Sequence, residues 1–279
     1  MKQVTINQKI IPAIEREVLW HKGDYGKSSR KEQLKAVSIY LLRFIVIATL
    51  LLTVLNSCVD AGYFPCEKPA LPETAETRTF SGFTGVDIQM GARVYIYKGD
   101  VFEVEIIAPE NFLDLINTRV SGGVLKIGTD RCLRSKSNDV KIFITMPELS
   151  TISMSGSGSI ELKNTFSGSR LDATIYGSGN IFGGINYQTL KTRISGSGNI
   201  ELAGYANFHD AAISGSGNLF CYPLDTKRAE VAISGSGSAF ILVRDQLKAR
   251  VSGSGSIFYK GNPWIQTTIT GSGKIIWVH

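Results

Sequence analysis

Along the C-terminal two thirds of the chain, apolar and polar positions alternate. In ISGSGNI (Ile194 to Ile200), ISGSGNL (Ile213 to Leu219), ISGSGSA (Ile233 to Ala239) and VSGSGSI (Val251 to Ile257), apolar residues or glycines alternate strictly with Ser and Asn. A period of two is the strand signal. It places Ile194, Gly196, Gly198 and Ile200 on one face and Ser195, Ser197 and Asn199 on the other. A flexible Gly/Ser linker has no reason to set Ile or Val at both flanks of every unit.

The GSG unit recurs at Gly156, Gly177, Gly196, Gly215, Gly235, Gly253 and Gly271, with spacings of 21, 19, 19, 20, 18 and 18 residues. A near-constant period of this length marks an array. A second apolar patch lies between units, as in LKTRI (Leu190 to Ile194), AEVAI (Ala229 to Ile233) and LKARV (Leu247 to Val251), so each period holds two or three short strands. A period near 19 is too short for a four-stranded propeller blade of roughly 40 residues and suits one coil of a β-solenoid. Coils stack at about 4.8 Å, glycines at one place on each coil permit close backbone approach, and outward Ser and Asn can form hydrogen-bonded ladders. The stripe reads as architecture before it reads as a site.

Residues 80–150 carry their own strand signals: Val86 to Gln89, Arg93 to Tyr97, Phe102 to Ile107, Val124 to Ile127 and Val140 to Thr145. Asn111 to Thr118 reads as a helical turn with Phe112, Leu115 and Ile116 on one side. This stretch is expected to continue the stack with less regular coils or to cap its open edge. At the other end, Lys274 to His279 is a candidate end coil whose exposed edge would favour self-association.

Upstream the pattern changes. Ile39 to Leu55 (IYLLRFIVIATLLLTVL) is an apolar run broken only by Arg43 and preceded by Arg30, Lys31 and Lys35, which is a membrane-directed segment. LNSC (Leu55 to Cys58) follows and resembles the lipobox of bacterial lipoproteins, in which the cysteine is acylated and becomes the new N-terminus; Cys58 is the expected lipidation site. The alternative is a retained transmembrane helix. Both readings export the rest of the chain. Residues 1–36 are long for a signal n-region, and either a translation start placed too far upstream or a cytoplasmic tail with an amphipathic helix from Ile10 to Trp20 accounts for them. Residues 58–79, with Pro65, Pro69 and Pro72, read as a tether, with structure starting near Phe80. The domain division is therefore 1–57, 58–79 and 80–279, the last split into irregular coils (80–150) and GSG repeats (151–279).

Charge changes this picture little. The net charge is +6 with a pI near 9.1, but residues 1–57 hold 9 Lys and Arg against 4 Asp and Glu, leaving the body close to neutral. A nucleic-acid footprint has no support there. Cys66, Cys132 and Cys221 show no zinc spacing; one disulfide with a spare thiol fits an oxidising compartment, and the sequence does not choose the pair.

With these residues in hand, the body resembles the auto-transporter adhesin, head GIN domain family over about 80–262. The resemblance rests on FSGFTGVDIQMGARVYI, VSGGVLKI, VKIFITMPELSTISMSGSGSIEL and the SGSGNI units. It implies a β-helix-like fold and, by name, surface adhesion; it carries no catalytic residues.

Chemical rivals find little. His209 and His279 sit in no metal or triad motif, and paired carboxylates would have to come from scattered residues such as Glu161, Asp172, Glu201 and Asp210. Calcium-binding glycine repeats need an Asp where these have Ser or Asn, and GSG lacks the Lys-Ser/Thr and helix start of a phosphate loop. No cofactor or metal is expected. Among the aromatics of the repeats, which include Tyr222, several such as Phe182, Phe220, Phe240 and Phe258 share a phase just after GSGxI, and an exposed ladder of them would favour binding.

The expectation is an all-β, right-handed parallel β-helix-like solenoid with coils of about 19 residues. It belongs to a non-enzymatic lipoprotein of a Gram-negative envelope, held at the outer membrane through Cys58 or the apolar helix, with its body in the periplasm or at the surface. The partner is a surface glycan or protein ligand; the alternative is a periplasmic structural or signalling-accessory role. A contiguous apolar patch favours the first and a uniformly polar surface the second.

Overall fold

The computed structural model describes residues 66–134 and 139–279. The apolar run 39–55, Cys58 and the first part of the tether lie outside the described residues.

The alternation at the GSG units becomes long strands. β9 (Ser159–Ile175), β10 (Asn180–Gly196), β11 (Asn199–Gly215), β12 (Asn218–Gly235) and β13 (Ser238–Gly253) lie parallel and in register, each one coil of a β-solenoid of about seven turns. Where separate short strands were expected, each coil pairs almost throughout, because the ladder carries over the second bend with only local register shifts, as between Gly183 and Ile185. The first arm of a coil follows one GSG corner and the second arm precedes the next. β13 shows both arms: β14 (Ser256–Lys260) pairs its first half and β15 (Trp264–Thr270) its second, and β16 (Lys274–Trp277) adds to β14.

Inward positions stack in rows through this ladder. Ile175, Ile194, Ile213, Ile233 and Val251 form one such row, each at most 2% exposed. Ser195 and Ser197 point to solvent, as the alternation predicts. The expected polar ladder is present too: Asn199 Nδ2 donates to Asn180 Oδ1 (2.9 Å) and Asn218 Nδ2 to Asn199 Oδ1 (3.1 Å).

The corners explain the glycines. The carbonyl of Gly196 accepts from two backbone N–H groups of the next corner, Ser216 (2.9 Å) and Gly217 (3.0 Å). That double acceptance draws the backbones so close that a Cβ on Gly215 would sit 2.5 Å from the same oxygen, and Gly215 also holds φ at +128°. One further corner has no GSG. Residues 90–92 join β2 (Gly85–Gln89) to β3 (Arg93–Lys98), and the register places Met90 under Gly156 and Ala92 under Gly158. A Cβ on Gly156 would lie 2.2 Å from Met90 O, and one on Gly158 1.8 Å from Ala92 O. Glycine is thus required of the coil that lies over a corner, and no GSG corner lies beneath residues 90–92, so Met90 and Ala92 keep their side chains.

Residues 80–150 both continue the stack and cap it. β6 (Val124–Gly128) and β7 (Lys141–Met146) run parallel to β2 and β3, making a coil whose corner is the 129–140 loop. β8 (Thr151–Met154) joins β2 on its other side, so the first coil in sequence lies between the second and the third in space. Antiparallel strands then close this end: β5 (Asn117–Ser121) on β6, β4 (Glu103–Pro109) on β7, and β1 (Glu73–Arg78) on β4. The helical turn is shorter than expected, α1 being Glu110–Leu113, and Asn117 already begins β5.

Folded structure also begins earlier than Phe80. β1 lies within the stretch read as tether, and Cys66 is joined to Cys132 in a disulfide, with Glu67 bridging Leu133. Arg78 fixes β1 in place. Its guanidinium donates to the carbonyls of Leu113 (2.8 Å) and Ile116 (2.6 Å) and to Thr118 Oγ1 (2.7 Å), and it pairs with Glu76 at 3.0 Å. The third cysteine, Cys221, is a free thiol in the core, and burial pushes it up to about 12.

Candidate functional site

Because coils stack in register, every outward position repeats along the solenoid axis at about 4.8 Å. A site on this fold is therefore a set of rows. On the first arm one row reads Phe143, Tyr95, Glu161, Phe182, Glu201, Phe220, Phe240, Phe258 and Ile276. The phase shared by the aromatics does make a ladder. Phe220, Phe240 and Phe258 stack with centroids 5.1 and 4.9 Å apart and planes within 10° and 5°. Their faces are turned to one another, and Phe220, at 38%, is the most exposed of the three. A sugar needs a free ring face for stacking, so this ladder is cladding over the sheet and makes a poor binding platform.

The second arm offers a different surface. Just before the GSG corners, the row Thr174, Arg193, Ala212, Ala232, Arg250 and Thr268 runs beside the row Ser195, Ser214, Ser234, Ser252 and Thr270. Between them lies an open groove of about 590 Å³ that spans six coils, with Tyr176 at one end. Its floor lies low because Ala212 and Ala232 carry only a Cβ and the intervening Ile side chains point inward. At about 4.8 Å per step the groove is roughly 24 Å long.

Two arginines bracket the alanines and differ electrostatically. Arg193 is engaged by the Asp210 carboxylate, and it also donates to the carbonyls of Asp210 and Thr192, each at 2.9 Å. Arg250 makes no ion pair or hydrogen bond with another described residue and keeps its whole charge for solvent or a ligand. The Ser hydroxyls along the rim likewise have no partner among the described residues.

The scattered carboxylates do not come together as a pair. Glu161 is held by Lys163 at 2.7 Å, Asp172 by Arg170 at 3.0 Å and Asp210 by Arg193, while Glu201 stands between Phe182 and Phe220 in its row. Among the described residues no three His, Cys, Asp or Glu side chains gather as a metal site would require. His209 lies inside the core at 0% exposure, its Nε2 2.9 Å from Thr192 Oγ1 and its Nδ1 without a partner. Burial lowers its pKa to about 4, so the ring is neutral at pH 7 and is closed off from any substrate.

No local pattern along the chain marks the groove. It depends on which alternate positions of the second arm are small on successive coils, and only the register reveals that.

The family model described as "Putative auto-transporter adhesin, head GIN domain" matches residues 82–263. The chain belongs to this family. Similar solved structures agree with a head GIN fold. A "putative adhesin" from Bacteroides fragilis is 26% identical with a TM-score of 0.71, over 76% of this chain and all of the other. A "putative lipid binding protein" from Parabacteroides distasonis is 25% identical with a TM-score of 0.64, over 77% of this chain and all of that one. A second P. distasonis structure, a "putative adhesin", is 21% identical with a TM-score of 0.62 and supports the fold alone. No curated protein matches the chain. The head GIN membership gives an adhesin-like β-solenoid and points to an exported protein of the cell envelope or surface.

Proposed function

We propose that this head GIN chain is a non-enzymatic, envelope-anchored adhesin that holds an extended acidic glycan along the groove of the second arm. The observation that carries the reading is the groove itself: an open channel across six coils whose floor at Ala212 and Ala232 is small and apolar, edged by unpartnered Ser hydroxyls and flanked by the unpaired Arg250. A hydroxyl row gives and accepts hydrogen bonds, small apolar floor residues admit the C–H faces of sugar rings, and an unpaired guanidinium selects an anionic group. The neighbour described as an adhesin supports the same reading.

The proposed anchor is a lipid on Cys58 at the outer membrane, with the apolar run 39–55 as its export signal. The Cys66–Cys132 disulfide supports export, since such bonds persist where thiols are not kept reduced. Intact mass and membrane fractionation of wild type beside Cys58→Ala test this part. The reading needs a wild type beginning at acylated Cys58 and an unprocessed variant; retention of residues 1–57 by both means a transmembrane anchor instead.

Glycan-array binding by the full chain tests the ligand. Ala212→Trp fills the floor and Arg250→Ala removes the free charge. Each is expected to weaken binding to acidic glycans at least tenfold, while Phe240→Leu in the aromatic ladder leaves it unchanged. Binding of fatty acids and of no glycan would transfer the groove to a lipid ligand, as the name of the P. distasonis neighbour suggests.

A further inference from the structure

The last coil is built unlike those beneath it. β15 pairs only with β13 and β16 only with β14, so the outer edge of both arms presents unpaired backbone N–H and C=O groups. The core rows run out there. Leu247, Ala249 and Val251 are at most 2% exposed, whereas the residues that continue their rows are Ile265, half-buried, Thr267, exposed, and Ile269, 48% exposed. Trp264 and Trp277 stand at 63% and 51% exposure beside them. An edge of this kind is ordinarily protected by charge, proline or a bulge. β15 (WIQTTIT) has none of these.

We infer that this edge is an interface between two copies of the chain, paired about a two-fold axis that crosses both arms. Such an axis reverses strand direction, so β15 meets its own copy antiparallel and β16 meets its own copy antiparallel. The symmetry suits the sequence. Centred on Thr267, the β15 pairing sets Ile265 opposite Ile269 of the second copy and Gln266 opposite Thr268. Inward residues then face inward residues, and the two cores become one. A pairing displaced by one residue would set inward positions against outward ones. The absence of charge on β15 means that nothing repels an identical strand, and an isologous contact closes at two copies where a head-to-tail contact would build a filament.

Area sets the strength. Seven strand residues at about 3.3 Å span about 23 Å, and two layers about 10 Å apart with about 5 Å of outward side chain on each make the stack about 20 Å thick, so the end face is roughly 450 Å² and roughly 900 Å² is buried in total. This is the range of weak, reversible interfaces, so association is expected between about 1 and 100 µM.

The test is light scattering on the full chain in mild detergent, for wild type, Thr267→Lys, Thr267→Glu and an equimolar mixture of the two variants. Thr267 lies on the proposed axis, so each substitution sets a charge against its own copy. Wild type is expected to dimerise with rising concentration, each variant to remain monomeric with an unchanged melting temperature, and the mixture to dimerise again. A wild type monomeric at about 100 µM, a dimer indifferent to both charges, or a monomer that co-purifies with a different chain on this edge overturns the inference. Should a charged variant fail to fold, Thr267→Cys under mild oxidation must yield a covalent dimer, and its absence is equally decisive against the proposal.

Discussion

The two ends of the solenoid solve the same problem differently. A stack of parallel coils leaves an open ladder and an open core at each end. At the N-terminal end the chain closes both. Antiparallel β4 and β5 cover the last parallel strands, β1 covers β4, Arg78 pins α1 and β5 to β1, and the disulfide ties residue 66 to the 129–140 loop. The outermost strands are short and carry Glu73, Glu76, Arg78 and Arg119, charges that discourage pairing with another chain. At the C-terminal end β15 and β16 leave their outer edges unpaired among the described residues. The stack is finished at one end and available at the other.

Substitution at equivalent corners should expose this asymmetry most strongly. A Cβ on Gly217 would lie 2.3 Å from Gly198 O with coils on both sides, and one on Gly273 would lie 2.5 Å from Gly255 O with no coil beyond it. Gly217→Ala is expected to cost about 4 kcal/mol or more, and Gly273→Ala about 1–2 kcal/mol because the end coil can move outward. Thermal or denaturant unfolding of the two variants side by side checks this, and equal losses would refute a frayed end.

Removal of the N-terminal fastening comes next. Cys66→Ser with Cys132→Ser opens a loop with a sequence separation of 66, for which chain entropy gives about 4 kcal/mol as an upper figure. Melting with and without reductant should reproduce the difference for wild type and show none for the double variant.

The middle of the stack carries a pH signature set by a buried histidine. His209 titrates near 4 when folded and near 6.5 when unfolded, so between these values the unfolded chain binds the proton and the folded one does not. Stability should therefore fall as pH drops from 6.5 to 4, by about 1.4 kcal/mol per unit and roughly 3 kcal/mol in all, and no further through this group below pH 4. His209→Leu should remove that slope in urea titrations at pH 7, 5.5 and 4.

The smallest effect is expected at the bare edge. Ile269→Ser should cost about 1 kcal/mol or less in the monomer, since the side chain is already half in water, while Val251→Ser one coil below should cost about 2–3 kcal/mol.

Much of the fold was legible because it is written in a repeat. The Ile–Ser–Gly alternation announced strands, the near-constant spacing announced coils, and Asn180, Asn199 and Asn218 recur where a ladder needs them. What escaped lacks repetition. β1 draws on a Pro-, Glu- and Thr-rich stretch whose burial pattern is almost wholly exposed, so nothing apolar marks it as a strand. β5 (NTRVS) offers only one apolar residue, Val120, too little to mark a strand. The 90–92 corner was hidden because its Met and Ala need not be Gly, and the partner of Cys66 is set by a contact across 66 residues that no local pattern encodes. The groove required knowing that Ala212 lies beside Ala232 and between two arginine rungs, a fact of register. The aromatic phase was visible, but the orientation that turns the rings toward one another was not.

The Cys66–Cys132 bond also decides how the molecule bears load. Tension drawn through the chain from residue 66 toward the C-terminus passes straight across the sulfur bridge to residue 132, so the 65 residues between them cannot be drawn out. β1 to β6 are thereby excluded from the extensible contour, and the pull enters the coil stack beside β7, at strands packed against neighbours on both sides. Under the anchoring and flank binding proposed above, the covalent lock lies at the point where traction would otherwise begin to unravel the chain.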